Sequence, residues 1–285
     1  MNFKIAICSY QRKNILFTKT YNLLQNLNVP LKNVYIFVAN YEEEEEYKAM
    51  GFKCEIVLSH LGLVNARNCA IDYFPEGQKI LFLDDDISAF KILDQQFVKD
   101  TSKPTSHKMS DCEFIPLFNS YFDEMEKRRL FIFGVYPVAN SMFMRLETTY
   151  DLRLLCGGAF GIINRKNVKN SIVLGDSKED SLRSLQYFLK DRECMRVNKI
   201  SMVTANYKGK GGMNNMGRAL KEKASCDWLV ENYPQFFELK KAKKNSLYSE
   251  IKFKQKKIYK DILEVSQNNG FKDILDYNQS YKYGY

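Results

Sequence analysis

Asp84-Asp85-Asp86 is the densest concentration of potential chemistry in the chain, and it follows directly on the apolar run Ile80-Leu81-Phe82-Leu83. In an extended chain side chains alternate, so Asp84 and Asp86 are expected on one side and Asp85 on the other. Two carboxylates on one side at the C-terminal end of a parallel strand form a hard-oxygen site suited to Mg²⁺ or Mn²⁺. That end of an open α/β sheet is also where ligands bind. Three adjacent acids repel one another, and a cation relieves that cost. The alternative is an acidic turn that caps the next helix, since Asp is a good N-cap.

A second acidic group, Asp176-Ser177-Lys178-Glu179-Asp180-Ser181, precedes the helix-like Leu182–Leu189. A carboxylate there could take a proton from an attacking hydroxyl. It could equally be an acidic helix start stabilised by the helix dipole. Gly157-Gly158-Ala159-Phe160-Gly161 permits close backbone approach by a substrate, or serves packing. Lys208-Gly209-Lys210-Gly211-Gly212 lacks the P-loop pattern, but a basic flexible loop can close over a diphosphate.

The elements that must position these groups are legible as alternation. Residues 3–8, 34–38, 53–58 and 79–83 are predicted strands, and 14–27, 42–51 and 63–73 predicted helices. This rhythm predicts a parallel sheet with helical crossovers over residues 1–93. The pattern then changes. Residues 99–111 are predicted to be a loop, 111–129 a helix, 130–146 and 152–163 strands, 177–190 a helix and 197–204 a strand, followed by helical segments to the C-terminus. The Glu42–Glu46 run is expected to be a solvated helix face, with Asn40 just before it at the end of the second strand. His60 is expected in a surface or packing role and His107 in a solvated loop.

The 285 residues are enough to bury roughly three-quarters of the unfolded surface, as one large domain or two close halves. No apolar run approaches the ~20 residues needed to span a bilayer. The N-terminal residues go straight into a strand pattern without the regions of a signal peptide. Seven scattered cysteines, none in a C-x-x-C pair, argue against a disulfide framework or a thiolate zinc site. A cytoplasmic setting is expected, or host-cell cytoplasm if the source is viral. Net charge is +9, with nine lysines and one acid between Lys240 and Lys260. Such a patch attracts polyanions, or simply solubilises a helix face. Tyr248, Phe253, Tyr259, Phe271, Tyr277, Tyr281, Tyr283 and Tyr285 interleave with lysines there, a mixture that suits nucleic acid as well as helix packing.

Three motifs together carry a resemblance: a first strand ending in Ser9-Tyr10-x-Arg12, Gly62-x-x-x-Ala66-Arg67-Asn68 before a helix, and Leu83-Asp84-Asp85-Asp86. The order resembles GT-A glycosyltransferases, and more narrowly those associated with thymine-oxidising dioxygenases, the group that includes the base J glucosyltransferase. The resemblance is good over 3–93, weaker over 150–215 and absent for the basic tail. It implies an α/β fold of GT-A type, with a Rossmann-like, mostly parallel central sheet flanked by helices, a mixed second half and a helical basic tail. Residues 1–215 would form the catalytic domain (1–93 for nucleotide sugar, 112–215 for acceptor) and 216–285 an extension.

The resemblance also implies roles. Ser9, Tyr10 and Arg12, with Asn40, would lie beside the nucleoside. Arg67 would approach the base or diphosphate, with Gly62 and Asn68 shaping its loop. Asp84 would contact the ribose and share a Mn²⁺ or Mg²⁺ ion with Asp86, while Asp85 orients its neighbours. Lys210 would cover the diphosphate, Gly157 and Gly158 would face the acceptor, and Asp180 would be the general base, with Glu179 and Asp176 as alternates. The implied reaction moves a hexose, glucose first, from a UDP-sugar to an acceptor hydroxyl, with a hydroxymethylated pyrimidine in DNA among the acceptors. Many relatives place a histidine ligand near residues 208–215, and this chain has none there, which leaves the third metal ligand open. Two rivals are a nucleotidyltransferase, whose Gly-rich first loop is missing, and a DNA-binding protein that keeps the fold without activity.

Overall fold

The structure is a computed structural model that describes residues 1–99, 102–168, 176–204, 218–241 and 249–254. Four short apolar strands come first: β1 (Lys4–Cys8), β2 (Val34–Val38), β3 (Glu55–Leu58) and β4 (Lys79–Leu83). They pair in parallel in the order β3-β2-β1-β4. Parallel neighbours need crossovers, and the chain supplies them. A helical run, α1 (Lys13–Leu16), a π turn (Phe17–Tyr21) and α2 (Asn22–Asn26), follows β1; α3 (Tyr41–Ala49) follows β2; α4 (Leu63–Tyr73) follows β3.

Among the described residues the sheet continues as a mixed one of ten strands. β9 (Ala159–Ile163) lies antiparallel between β4 and β7 (Ile132–Tyr136). β10 (Met195–Val203) runs parallel to β7 and antiparallel to β5 (Ala89–Gln95) and to the short β8 (Thr148–Thr149). β6 (Thr105–Lys108) closes the edge against β5. α5 (Asp111–Arg128) opens with a Ser110/Glu113 capping box. It lays Phe114, Phe118, Tyr121, Phe122 and Met125 on the sheet, where Phe3, Phe90 and Phe133 meet them ring to ring.

The chain divides into two units, Met1–Ile172 with Glu179–Met216, and Val173–Lys178 with Gly217–Tyr285. α6 (Glu179–Asp191) belongs to the first. The second contains α7 (Arg218–Asn232) and a two-stranded antiparallel sheet, β11 (Phe237–Leu239) with β12 (Ile251–Phe253). No helix among the described residues is long and apolar enough to cross a membrane.

Several expectations need correction. Of residues 130–146 only Ile132–Tyr136 are strand, because Pro137 follows and cannot donate to the ladder. Residues 152–163 form a strand only from Ala159. The 99–111 segment is not all loop: β6 lies within it, an edge strand with polar side chains on both faces and therefore no apolar alternation to betray it. β5, before it, was not anticipated. After α7 the chain turns to strand, with Phe237 and Phe253 ring to ring, rather than staying helical. Tyr248, Tyr259 and the aromatics beyond lie outside the described residues.

His107 is not a bare loop residue either. It sits on β6, with Nδ1 2.6 Å from Asp94 Oδ1 and Nε2 2.9 Å from Glu113 Oε1. Both ring nitrogens can donate only as imidazolium. Accordingly His107 is raised above its ordinary value by Glu113 first and Asp94 second. Glu113 is held down to about 2 by the Ser110 cap and by His107. A raised histidine stabilises fully below its unfolded pKa of about 6.5, and the contribution fades as pH climbs through the folded value. The gap in thermal midpoint between wild type and His107→Gln should therefore be widest near pH 5.5 and close in alkali. A gap of constant size across that range would show that the ion pairs contribute nothing.

Candidate active site

β4 ends at Leu83, and the three aspartates continue as a turn beyond the strand. Strict alternation therefore does not govern them, and their partners direct them. Asp84 N–H donates to Gly158 O (2.9 Å), and Thr20 Oγ1 donates to Asp84 O (2.7 Å) while accepting Ile87 N–H (2.9 Å). The turn is thus pinned from β9's approach and from the first helical crossover.

Arg12 spans two of the acids, Nη1 to Asp85 Oδ1 at 2.7 Å and Nη2 to Asp86 Oδ2 at 3.1 Å. Ser9 Oγ donates to the other Asp85 oxygen at 2.8 Å. Burial is the largest influence on Asp85 and pushes its carboxyl up to about 7, against the pull of Arg12. Asp84 faces a different cation: Arg67 Nη2 lies 3.4 Å from its Oδ1. Its carboxyl is likewise raised, by burial first and then by Asp86 and Glu179, against the pull of Arg67. Its side chain nevertheless keeps 41% of its area open to solvent, so Asp84 is the member of the trio that faces outward.

Arg67, on α4, is only 3% exposed. Besides Asp84 it bonds Glu179 and donates to Gly157 O at 2.7 Å. Glu179, the first residue of α6 and 5% exposed, uses its second oxygen for Arg183. Arg183 donates to Leu155 O at 3.1 Å and lies 3.7 Å over the Phe160 ring, which stacks on Phe82 of β4. Burial pushes the Glu179 carboxyl up, but Arg183 and Arg67 outweigh it and hold it below the ordinary range. Arg183, buried and beside a like charge, has its own pKa lowered.

Ser9, Arg12, Arg67, Gly157, Gly158 and the three aspartates are therefore brought together. Asp180 stands next to Glu179; its Oδ1 accepts Ser181 N–H at 2.8 Å, and burial first, then Asp180 and Asp84, push the Cys156 thiol up to about 12. Tyr10 accepts from Gln11 Nε2 at 3.1 Å. Asn40 is the N-cap of α3, its side chain accepting Glu43 N–H at 2.9 Å. Gly62 is the N-cap of α4 at φ 100°, and Asn68 lies within that helix. Asp176 falls in the second unit, at φ 59°. Lys210 lies outside the described residues.

A Cβ at Gly157 would come within 2.7 Å of Glu179 Oε1 and 3.1 Å of Arg67 Nη1. One at Gly158 would meet the flexible tip of Met202 at 2.6 Å. Gly161 differs: its Cβ would enter the Phe133 ring, so that glycine serves core packing. Two residues of the site had no sequence signal of their own, Arg183 in an amphipathic helix and Glu43 in an acidic run. Glu43 is buried at 6% exposure, a correction to the solvated face expected of that run.

Among the described residues no group of three or more His, Cys, Asp or Glu side chains is arranged to hold a metal. Asp84 and Asp86 remain a two-carboxylate set, the kind that takes Mg²⁺ or Mn²⁺ when substrate phosphates complete the coordination.

No protein-family model and no curated protein matches the chain. Solved structures do. A mannosyltransferase from Pyrobaculum calidifontis, in complex with GDP-Man and Mn²⁺, is similar with TM-score 0.51 and 10% identity, over 98% of this chain and 73% of that one. Glucosyl-3-phosphoglycerate synthase from Mycobacterium tuberculosis, with phosphoglyceric acid, gives TM-score 0.46 and 10% identity over 80% and 79%. At such identity the first similarity establishes the fold: the chain has a GT-A type architecture, a mostly parallel α/β sheet flanked by helices.

Two stability outcomes follow from the arginine–carboxylate cluster. Glu179→Gln removes the carboxylate between Arg67 and Arg183, leaving Arg67 only its 3.4 Å contact to Asp84, and should cost about 3–5 kcal/mol. Asp180→Asn should stay within about 1 kcal/mol. Urea unfolding of the two variants checks this, and equal losses would contradict the assigned difference. Gly157→Ala should likewise lower the unfolding midpoint more than Gly158→Ala, because the ion pair cannot yield as a methionine tip can.

Proposed function

We propose that the chain is a metal-dependent glycosyltransferase that moves a hexose, glucose first, from a UDP-sugar to an acceptor hydroxyl with inversion. The observation that carries the reading is the outward-facing Asp84 at the end of β4, flanked by Asp86, by the Ser9–Arg12 loop and by the glycine backbone at 157–158. An anionic donor needs charge compensation where its diphosphate leaves. Asp84 and Asp86 would hold Mn²⁺ or Mg²⁺ there, and the metal supplies Lewis-acid offset of the leaving charge.

In this reading Ser9, Tyr10, Arg12 and Asn40 line the nucleoside, with Lys210 over the diphosphate. Gly62 and Asn68 shape α4 so that Arg67, itself shut from solvent, orients Asp84 and Gly157. Gly157 and Gly158 let the acceptor approach along the backbone. Asp180 takes the proton of the acceptor hydroxyl as its oxygen bonds the anomeric carbon and the sugar–phosphate bond breaks on the opposite face. Glu179 is the weaker candidate for that step because both of its oxygens are committed to arginines; Asp176 is the remaining alternate.

The acceptor is the finer part of the proposal. A hydroxymethylated pyrimidine in DNA fits the +9 charge, and a base in a duplex would have to be flipped out at a cost of a few kcal/mol. UDP-, GDP- and CMP-sugars are offered with Mn²⁺ or Mg²⁺, with and without hydroxymethylated DNA, and nucleotide release is scored. Release from one UDP-sugar, stimulated by the modified DNA, is expected. Asp86→Ala should cut it at least about 100-fold, a loss that even outer-shell partners of a bound metal can carry. Release indifferent to DNA would move the acceptor to glycans or proteins. No release from any donor, with EDTA making no difference, would overturn the enzyme in favour of a binding protein.

A further inference from the structure

α3 carries five consecutive glutamates, and one of them behaves unlike the others. Glu43 and Tyr47, one helical turn apart, are buried, whereas Glu42, Glu45 and Glu46 are exposed. Glu43 Oε1 accepts the backbone N–H of Gln11 at 2.5 Å, and Oε2 accepts that of Ala39 at 3.2 Å. One carboxylate thereby ties the loop after β1 to the loop after β2.

Gln11 has φ 56°, in the left-handed region that strains a non-glycine residue. A charge-assisted hydrogen bond to its N–H offsets that strain. The same residue reaches Tyr10, its Nε2 donating to the phenol oxygen at 3.1 Å. Tyr47 secures the rest of the loop. Its hydroxyl donates to Ser9 Oγ at 2.8 Å, which frees the Ser9 proton for Asp85, and it accepts the Arg12 N–H at 3.3 Å. Phe52 stacks on the Tyr47 ring and leaves it no room to swing.

The Ser9 hydroxyl and the Gln11 and Arg12 amides are thus each anchored by a side chain outside the loop. We infer that Glu43 and Tyr47 are positioning residues: they hold the first-strand loop in the shape that places Arg12 on Asp85 and Asp86 and orders Tyr10 for a nucleotide. The consequence for binding rests on the nucleotide-sugar reading above; the clamp itself does not.

Two measurements separate the two. In the free protein, hydrogen exchange at the Gln11 and Arg12 amides should quicken about tenfold in Glu43→Gln and Tyr47→Phe, with β1 and β4 amides unchanged. Both substitutions keep side-chain volume, and Glu42→Gln is the exposed control that should alter nothing. In calorimetry with UDP and Mn²⁺, both variants should weaken binding about tenfold, and in turnover KM for the donor should rise more than kcat falls. A destabilisation without a loop-specific role would speed exchange throughout the sheet.

Unchanged exchange at Gln11 and Arg12 overturns the clamp. Faster exchange with UDP affinity equal to wild type overturns its role in binding. A wild type that binds no UDP overturns the nucleotide reading and the binding role together, while exchange at Gln11 still decides the clamp.

Discussion

Placing the carboxylates of Asp84, Asp85, Asp86 and Glu179 in one small region is unfavourable unless opposite charge is supplied on the spot, because burial and mutual repulsion both act against ionised acids. Three arginines supply it. Arg12 comes from the loop after β1, Arg67 from α4 and Arg183 from α6, and each is held in two or more directions. The fold around the site is arranged so that these chain segments, distant in sequence, meet at the C-terminal ends of the adjacent strands β1 and β4. Breaking a matched buried pair costs far more than the pair contributes net, so the arrangement is rigid without being a large source of stability.

The antiparallel insertion of β9 is what lets this happen. Leu83 pairs with Ala159, so the chain entering β9 emerges beside the aspartates that leave β4. Gly157 and Gly158 are thereby delivered to the charged cluster, where a side chain at position 157 would strike the Glu179–Arg67 pair. The same register stacks Phe160 on Phe82 and gives Arg183 an aromatic surface to lie on. Backbone carbonyls at Leu155 and Gly157 use guanidinium donors that the carboxylates leave free. The charge balance is complete except at Asp84, whose side chain stays open.

The loop between β1 and α1 answers to a different constraint. It must present Ser9 and Arg12 to the acids while carrying a residue in left-handed conformation, and it does so because α3 lends it a carboxylate and a phenol. The helix that follows β2 therefore serves the site although none of its side chains bonds the aspartates directly. Its outward face remains an ordinary charged surface, with Lys48 bridging Glu44 and Glu45.

Local pattern was enough for much of this. The alternation of short apolar strands with helical segments over residues 1–93, the run of acids at the end of the fourth strand and the helix at 63–73 were all legible, because strand and helix periods and turn residues act over a few positions. The shape of the charge network was not. Arg67 and Glu179 are 112 residues apart, and nothing local says that Glu179 will be closed between two arginines. Glu43 looked like its four neighbours until the loop after β1 was seen to need an acceptor. β6 was missed for the same reason, since a polar edge strand takes its conformation from the ladder it joins rather than from an apolar stripe, whereas β5 is a short apolar run whose place between β10 and β6 is fixed only by long-range pairing. Sequence alone determined which carboxylates stand at the end of a strand; tertiary structure decided which cation each one meets, because pairing is settled by distance in space.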